Sequence, residues 1–261
     1  MTDTHAHLYD RSADELQSIV ADAVNAGVDT IINTAVSIQT AKIVLDQCDR
    51  FPQNLRAAIG ISPFDTNNLE DGWDSELTEL LYGSPSAQSI PQKIAAIGEI
   101  GLDGTNPAYP AIDVQAPVFI RQLEIAVTSN LPAVIHSRGI EKRAAEICRD
   151  IGVKKAVFHC FTGDADALEC IVDNGYYISI SGIITYKNSH LRELIKSVPI
   201  DNLLIETDTP YLSPVPHRGK PNRPSFLTCT AAEIARLLDI NEPELIAALK
   251  KNTAAIFPNI Y

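Results

Sequence analysis

Thr2-Asp3-Thr4-His5-Ala6-His7-Leu8 is the stretch from which the fold can be read. Residues two apart on a strand share a face, so His5 and His7 point the same way, as two imidazoles able to close on one cation. A chain that opens on such a pair is expected to carry no leader and to use this strand in its core. Seven more apolar, β-branched segments follow, at 28–35, 55–61, 94–102, 132–137, 155–161, 176–182 and 202–208. Helical signals lie between them. Ser12-Ala13-Asp14-Glu15 is a capping box, followed by Leu16, Ile19, Val20 and Ala23 on one side and Gly27 as the stop. Phe119, Leu123, Ala126 and Val127 repeat the stripe before Asn130, and Ala231, Ile234, Ala235 and Leu238 do so near the end.

Strands alternating with helices, the strands almost continuously apolar, imply parallel pairing with both faces covered. Eight such units in 261 residues fit a single-domain α/β fold of the (β/α)8 TIM-barrel type, typically about 250 residues long. An open doubly wound sheet has the same local alternation. No linker, repeat or low-complexity tract divides 1–261, and 84–89 is the expected loose surface loop.

Cys48, Cys148, Cys160, Cys170 and Cys229 are odd in number and widely spaced, which suits reduced thiols and a cytoplasmic compartment rather than a disulfide framework. No long apolar run is available to span a membrane. The formal net charge of −12 counts against a protein that lives by non-specific duplex binding, since neutralising phosphates supplies most of that affinity. It leaves open an enzyme that handles ends or short pieces through one local patch.

In a (β/α)8 barrel the chemistry sits at the C-terminal strand ends. Those ends carry His5 and His7, Glu99 in Gly98-Glu99-Ile100-Gly101-Leu102-Asp103, His136 in Ile135-His136-Ser137-Arg138, His159 in His159-Cys160-Phe161-Thr162-Gly163, and Asp208 in Glu206-Thr207-Asp208-Thr209-Pro210. Taken singly, each is as readily a bonded core histidine or a helix-capping carboxylate. Together they read as a metal site. Glu99 is the most telling, because a carboxylate after a run of aliphatics is expensive to desolvate unless a cation meets it. Four imidazoles and two carboxylates suit Zn²⁺, Mn²⁺ or a similar ion better than an all-oxygen Mg²⁺ site. Two ions sharing a carboxylate would use all six, acidify a water and clamp the oxygens of a displacement, which makes hydrolysis the natural reaction.

The same five motifs, in this order and over nearly the whole chain, resemble the TatD-type deoxyribonucleases, metal-dependent hydrolases of the amidohydrolase-like superfamily. The resemblance implies a two-metal barrel acting on DNA, often as a 3′-exonuclease; some relatives remove D-amino acids from tRNA instead. It implies that His5, His7 and Asp208 hold the first divalent ion and His136 and His159 the second, with Glu99 bridging. Asp208 would also orient the water or accept its proton, so Asp208 and Glu99 are the candidate catalytic residues. Zn, Mn or Mg would be the metal. Two departures stand out. Gly60-Ile61-Ser62-Pro63 has Ser62 where the family commonly has a histidine near the substrate phosphate, and Gly104-Thr105 replaces an aromatic pair.

The segment 211–224 carries Arg218, Lys220 and Arg223 with no acidic residue. Directly after the last strand it should overhang the metals, so Arg138, Ser62, Arg218, Lys220 and Asn222 are the expected phosphate contacts. His217 is a further candidate there, Tyr186 and Tyr211 could stack on a base, and Gln115 and Gln122 read as framework. The leading expectation is a 3′-to-5′ exodeoxyribonuclease acting on single-stranded DNA or DNA ends, without a membrane or a stable protein partner. The alternatives are a D-aminoacyl-tRNA deacylase, a small-molecule lactonase or amidase, and a non-catalytic metal-stabilised binding protein.

Overall fold

The first two helices begin where the sequence supplies a cap. The Ser12 hydroxyl accepts from Glu15 N and the Glu15 carboxylate accepts from Ser12 N, starting α1 (Ala13–Asn25). A second reciprocal cap between Ser37 and Thr40 starts α2 (Ile38–Arg50). Further helices are α3 (Trp73–Tyr82), α4 (Ile112–Thr128), α5 (Glu141–Ile151), α6 (Ala165–Asp173), α7 (Leu191–Leu194), α8 (Leu227–Leu238) and α9 (Glu242–Ile256). The computed structural model describes residues 1–83, 89–257 and 260, so all but Ser89 of the expected loop at 84–89 lies outside the described residues.

The strands are β1 (Thr2–Ala6), β2 (Thr30–Thr34), β3 (Leu55–Ile59), β4 (Ile94–Asp103), β5 (Ala133–Arg138), β6 (Ala156–Phe158), β7 (Tyr177–Ile180) and β8 (Leu203–Ile205). They pair in parallel in chain order, the arrangement of a (β/α)8 barrel. The seam between β1 and β8 closes through the Ala6–Thr209 bridge, with Asp208 N donating to His5 O at 2.9 Å and His7 N to Thr209 O at 2.7 Å. The Asp3 carboxylate adds to it, accepting from Thr207 N at 2.8 Å and Thr207 Oγ1 at 2.5 Å.

Two apolar cores follow from the strand alternation. One lies between the sheet and the helices and includes Leu16, Ile19, Phe119, Leu123 and Ile234. The other contains Ile32, Ala58, Ala96, Val134, Val157 and Leu204, closed by Ile256, Phe257 and Ile260. Val134 shares a face with His136, so this second cluster floors the site. The stripe reading needs one correction: Val127 is 42% exposed, because it has rotated past the buried edge that Leu123 and Ala126 occupy. The strands β6 and β8 end earlier than their apolar runs. Cys160 at φ 43° and Asp208 at φ 59° bend the chain out of extended backbone just past them.

Candidate active site and metal centre

Glu99 reaches the barrel mouth through two glycines. A Cβ at Gly98 would stand 2.6 Å from Val134 Cβ, and one at Gly101, where φ is +146°, would stand 1.9 Å from His136 O. Their absence lets β4 press against β5, which sets Glu99 beside His136. The Glu99 carboxylate then divides between two histidine pairs. Oε2 faces His5 Nε2 at 3.6 Å and His7 Nε2 at 3.4 Å, while Oε1 faces His136 Nδ1 at 2.8 Å and His159 Nε2 at 3.3 Å. Asp208 Oδ1 joins the first pair, 3.8 Å from His5 and 3.6 Å from His7.

The opposite ring atoms are held from behind, which fixes which nitrogen faces the centre. His7 Nδ1 meets Thr34 O at 3.0 Å, His159 Nδ1 meets Glu206 Oε1 at 3.4 Å, and His136 Nε2 meets Asp103 Oδ2 at 3.1 Å. Asp103 and Glu206 were legible in the motifs as carboxylates near a strand end, but nothing local tied them to particular histidines. His5 stacks on His159 with ring centres 3.9 Å apart.

The donor set fits metal ions. His5 Nε2 and His7 Nε2 lie 3.1 Å apart, and His136 Nδ1 and His159 Nε2 lie 3.2 Å apart, both pairs facing a Glu99 oxygen. Among the described residues, His5-His7-Glu99 and Glu99-His136-His159 each offer ligand atoms close enough to hold one ion. His5-His159-Glu206 also lie close together, with His5 Nδ1 and Glu206 Oε2 buried and unpartnered. Burial favours neutral imidazoles: it pushes His7 down to about 4 and also lowers His5 and His159. Burial opposes the charged form of His136 too, but hydrogen bonds to Asp103 and Glu99 outweigh it and raise that ring. Glu99 behaves likewise, since burial would raise it, yet His159, His136 and His5 hold it well below the carboxylate range. Asp208 and Glu206 are pushed up to about 7 by burial. Neutral nitrogen donors crowded around buried carboxylates suit transition-metal ions.

The centre opens into a cavity of about 500 Å³ lined by Tyr9, Ser62, Phe64, Asp65, Tyr109, Arg138 and Tyr211 together with the donors. Ser62 and Arg138 therefore lie where a substrate could meet them. The other expected phosphate contacts, Arg218, Lys220 and Asn222, do not line this cavity. Asn222 is buried, its amide donating to Thr207 O and Tyr211 O at 2.7 Å each while Oδ1 accepts from Arg223 N, so it secures the loop and has no donor left for a phosphate. Arg218 lies over the Tyr186 ring at 3.8 Å, which also covers Tyr186, and neither Arg218 nor Lys220 lines the cavity. His217 stacks on Phe226 at 3.7 Å. Gln115 and Gln122 are buried framework, bonded to the backbone of Asp103 and of Ile61. Beyond Gly104-Thr105, Tyr109 lies nearly parallel to His136, ring centres 6.0 Å apart.

A parallel barrel whose mouth gathers four histidines around a shared carboxylate has the architecture of a metal-dependent hydrolase. The family model described as TatD related DNase matches residues 2–258, and the chain belongs to the TatD family. It is 34% identical to the uncharacterized metal-dependent hydrolase YabD of Bacillus subtilis, over 98% of each chain. It is 31% identical to the uncharacterized metal-dependent hydrolase TatD of Mycobacterium tuberculosis, over 97% of this chain and 96% of that one. The crystal structure of YJJV, a TatD homologue from Escherichia coli K12, superposes with a TM-score of 0.90 at 30% identity, covering 99% of this chain and 98% of that one. No helix among the described residues is long and apolar enough to cross a membrane.

Proposed function

We propose that this hydrolase cleaves phosphodiester bonds of DNA, as a 3′-to-5′ exonuclease on single-stranded ends, with two divalent ions drawn from zinc, manganese or magnesium. The observation that carries the reading is the division of one carboxylate: each Glu99 oxygen serves a separate histidine pair, 2.8–3.6 Å away. His5, His7 and Asp208 would hold one ion and His136 and His159 the other, with Glu99 shared. Bound there, the ions supply Lewis acidity, which lowers the pKa of water and offsets charge on a phosphoryl oxygen. Asp208 orients the attacking water and takes its proton as general base. The Arg138 guanidinium meets the phosphate from the cavity wall, and the Ser62 hydroxyl donates a hydrogen bond where an imidazolium would add charge. Thr34 O, Glu206 and Asp103 keep His7, His159 and His136 in the tautomers the centre needs. Residues 1–261 act as one catalytic unit without a stable protein partner, and five unpaired cysteines suit the reducing cytoplasm.

The test treats the protein with EDTA, restores each metal separately, and follows end-labelled single-stranded and duplex DNA beside D-aminoacyl-tRNA. Stepwise shortening from the 3′ end that requires added metal, and that Asp208→Asn abolishes, is the expected result. Absence of metal-dependent DNA cleavage, with release of a D-amino acid from tRNA under the same metal, would replace this reading by the deacylase.

A further inference from the structure

A chain of net charge −12 repels a polyanion at long range. The cations of 211–224 do not offset this at the centre, since Arg218 lies over Tyr186 and Arg223 pairs with Asp22 at 2.9 Å. Among the described residues that line the cavity, Arg138 is the one arginine or lysine. The mouth presents flat aromatic surface instead. Phe64 is 51% exposed and Tyr211 59% exposed. Phe64 meets Tyr109 edge-on with centres 5.5 Å apart, and Tyr109 in turn lies over His136. Tyr211 stands beside His7, ring centres 6.3 Å apart, over the other half of the donor set. Aromatic rings thus stand beside both histidine pairs, in a cavity that Arg138 also lines.

Taking the DNA reading of this site as its basis, we infer that Phe64, Tyr109 and Tyr211 form a stacking platform for the unpaired nucleobases of a strand end, with Arg138 on the neighbouring phosphate. Stacking is tolerant of base identity, because every base has a π-face, and it releases no counterions, so it adds no salt slope of its own. Each phosphate contact, by contrast, contributes a slope of about −0.7 in log affinity against log salt for a single strand. The platform therefore predicts weak salt dependence and a requirement that the end be unpaired.

The experiment uses the full chain loaded with manganese and two single-stranded oligodeoxynucleotides, one with thymidine at both termini and one with abasic residues there. Placing the change at both ends makes the comparison independent of polarity. Removing the bases should lower kcat/KM about 10-fold or more, and the salt slope should stay near one phosphate contact, about −0.7. In Phe64→Leu the ratio between the two substrates should fall toward one; a folding defect would lower both rates alike and leave the ratio standing. Equal kcat/KM for the two oligonucleotides in the unmodified protein, or a slope steeper than about −2, would overturn the platform while leaving DNA hydrolysis intact. Failure to cleave either oligonucleotide alongside hydrolysis of D-aminoacyl-tRNA would overturn the DNA reading, and the platform with it.

Discussion

Replacing Asp103 by asparagine should weaken metal binding without loosening the barrel. Asp103 is 6% exposed and does two jobs. Its Oδ1 accepts from Thr105 N, Thr105 Oγ1 and Asn106 N at 2.8, 2.9 and 3.0 Å, while its Oδ2 faces His136 Nε2 at 3.1 Å. Asparagine keeps an oxygen for the three loop donors but turns an NH2 toward His136. The ring must then accept at Nε2, which moves its proton to Nδ1, the atom that faces Glu99 and would bind metal. Restoring the useful tautomer sacrifices a hydrogen bond to a charged partner, about 1.5–3 kcal/mol. That corresponds to roughly 10- to 150-fold weaker affinity, in line with the 10- to 100-fold typical of residues that orient a metal-binding histidine. Calorimetric titration of the EDTA-treated protein with zinc or manganese measures it, with thermal unfolding as control. Asp103→Ala should lose affinity and also several degrees of Tm, because the loop donors lose their acceptor. Unchanged affinity in Asp103→Asn, with Asp103→Ala affected only in Tm, would reduce Asp103 to a loop cap and refute the tautomer reasoning.

Metal should stabilise the fold as well as the reaction: at 100 times the Kd the gain is about 2.7 kcal/mol, or roughly 5–10 °C in Tm for a chain of this size, readable by scanning calorimetry with and without EDTA. Glu99→Gln should lower activity by more than about 100-fold and reduce metal content at both histidine pairs together, since one carboxylate serves both; elemental analysis that finds one pair still loaded would contradict the sharing. Gln122→Ala removes the partner of both Ile61 N and Ile61 O, at 2.7 and 3.0 Å, inside the core. It should cost roughly 2–5 kcal/mol of stability in denaturant unfolding, with metal affinity unchanged.

The barrel, and the gathering of His5, His7, Glu99, His136, His159 and Asp208 at its mouth, could be read from the chain because both are written in local pattern: short, nearly continuous apolar runs, and polar chemistry placed at their C-terminal ends. What escaped was set by contacts between the ends of different strands. Asp103 and His136 are 33 residues apart, and Glu206 and His159 are 47 apart. No spacing rule pairs them. Where the charges of 211–224 come to rest was hidden for a related reason. Its charges suggested phosphate, yet Asn222 is consumed by two carbonyls and Arg218 by a ring, partners that only folding supplies. Tyr109 and Phe64 carried no signal, since a lone aromatic in a loop looks the same whether it packs or lines a mouth.

The seam also dictates an order of events during synthesis. Asp3 waits for Thr207, 204 residues further along, before its carboxylate is satisfied, and the first strand has no partner on that side until 203–209 leave the ribosome. His5 and His7 are thus made some two hundred residues ahead of the segment that encloses them. A nascent chain stalled short of residue 203 would expose an unpaired strand edge at each end of its sheet, a surface for chaperones to guard.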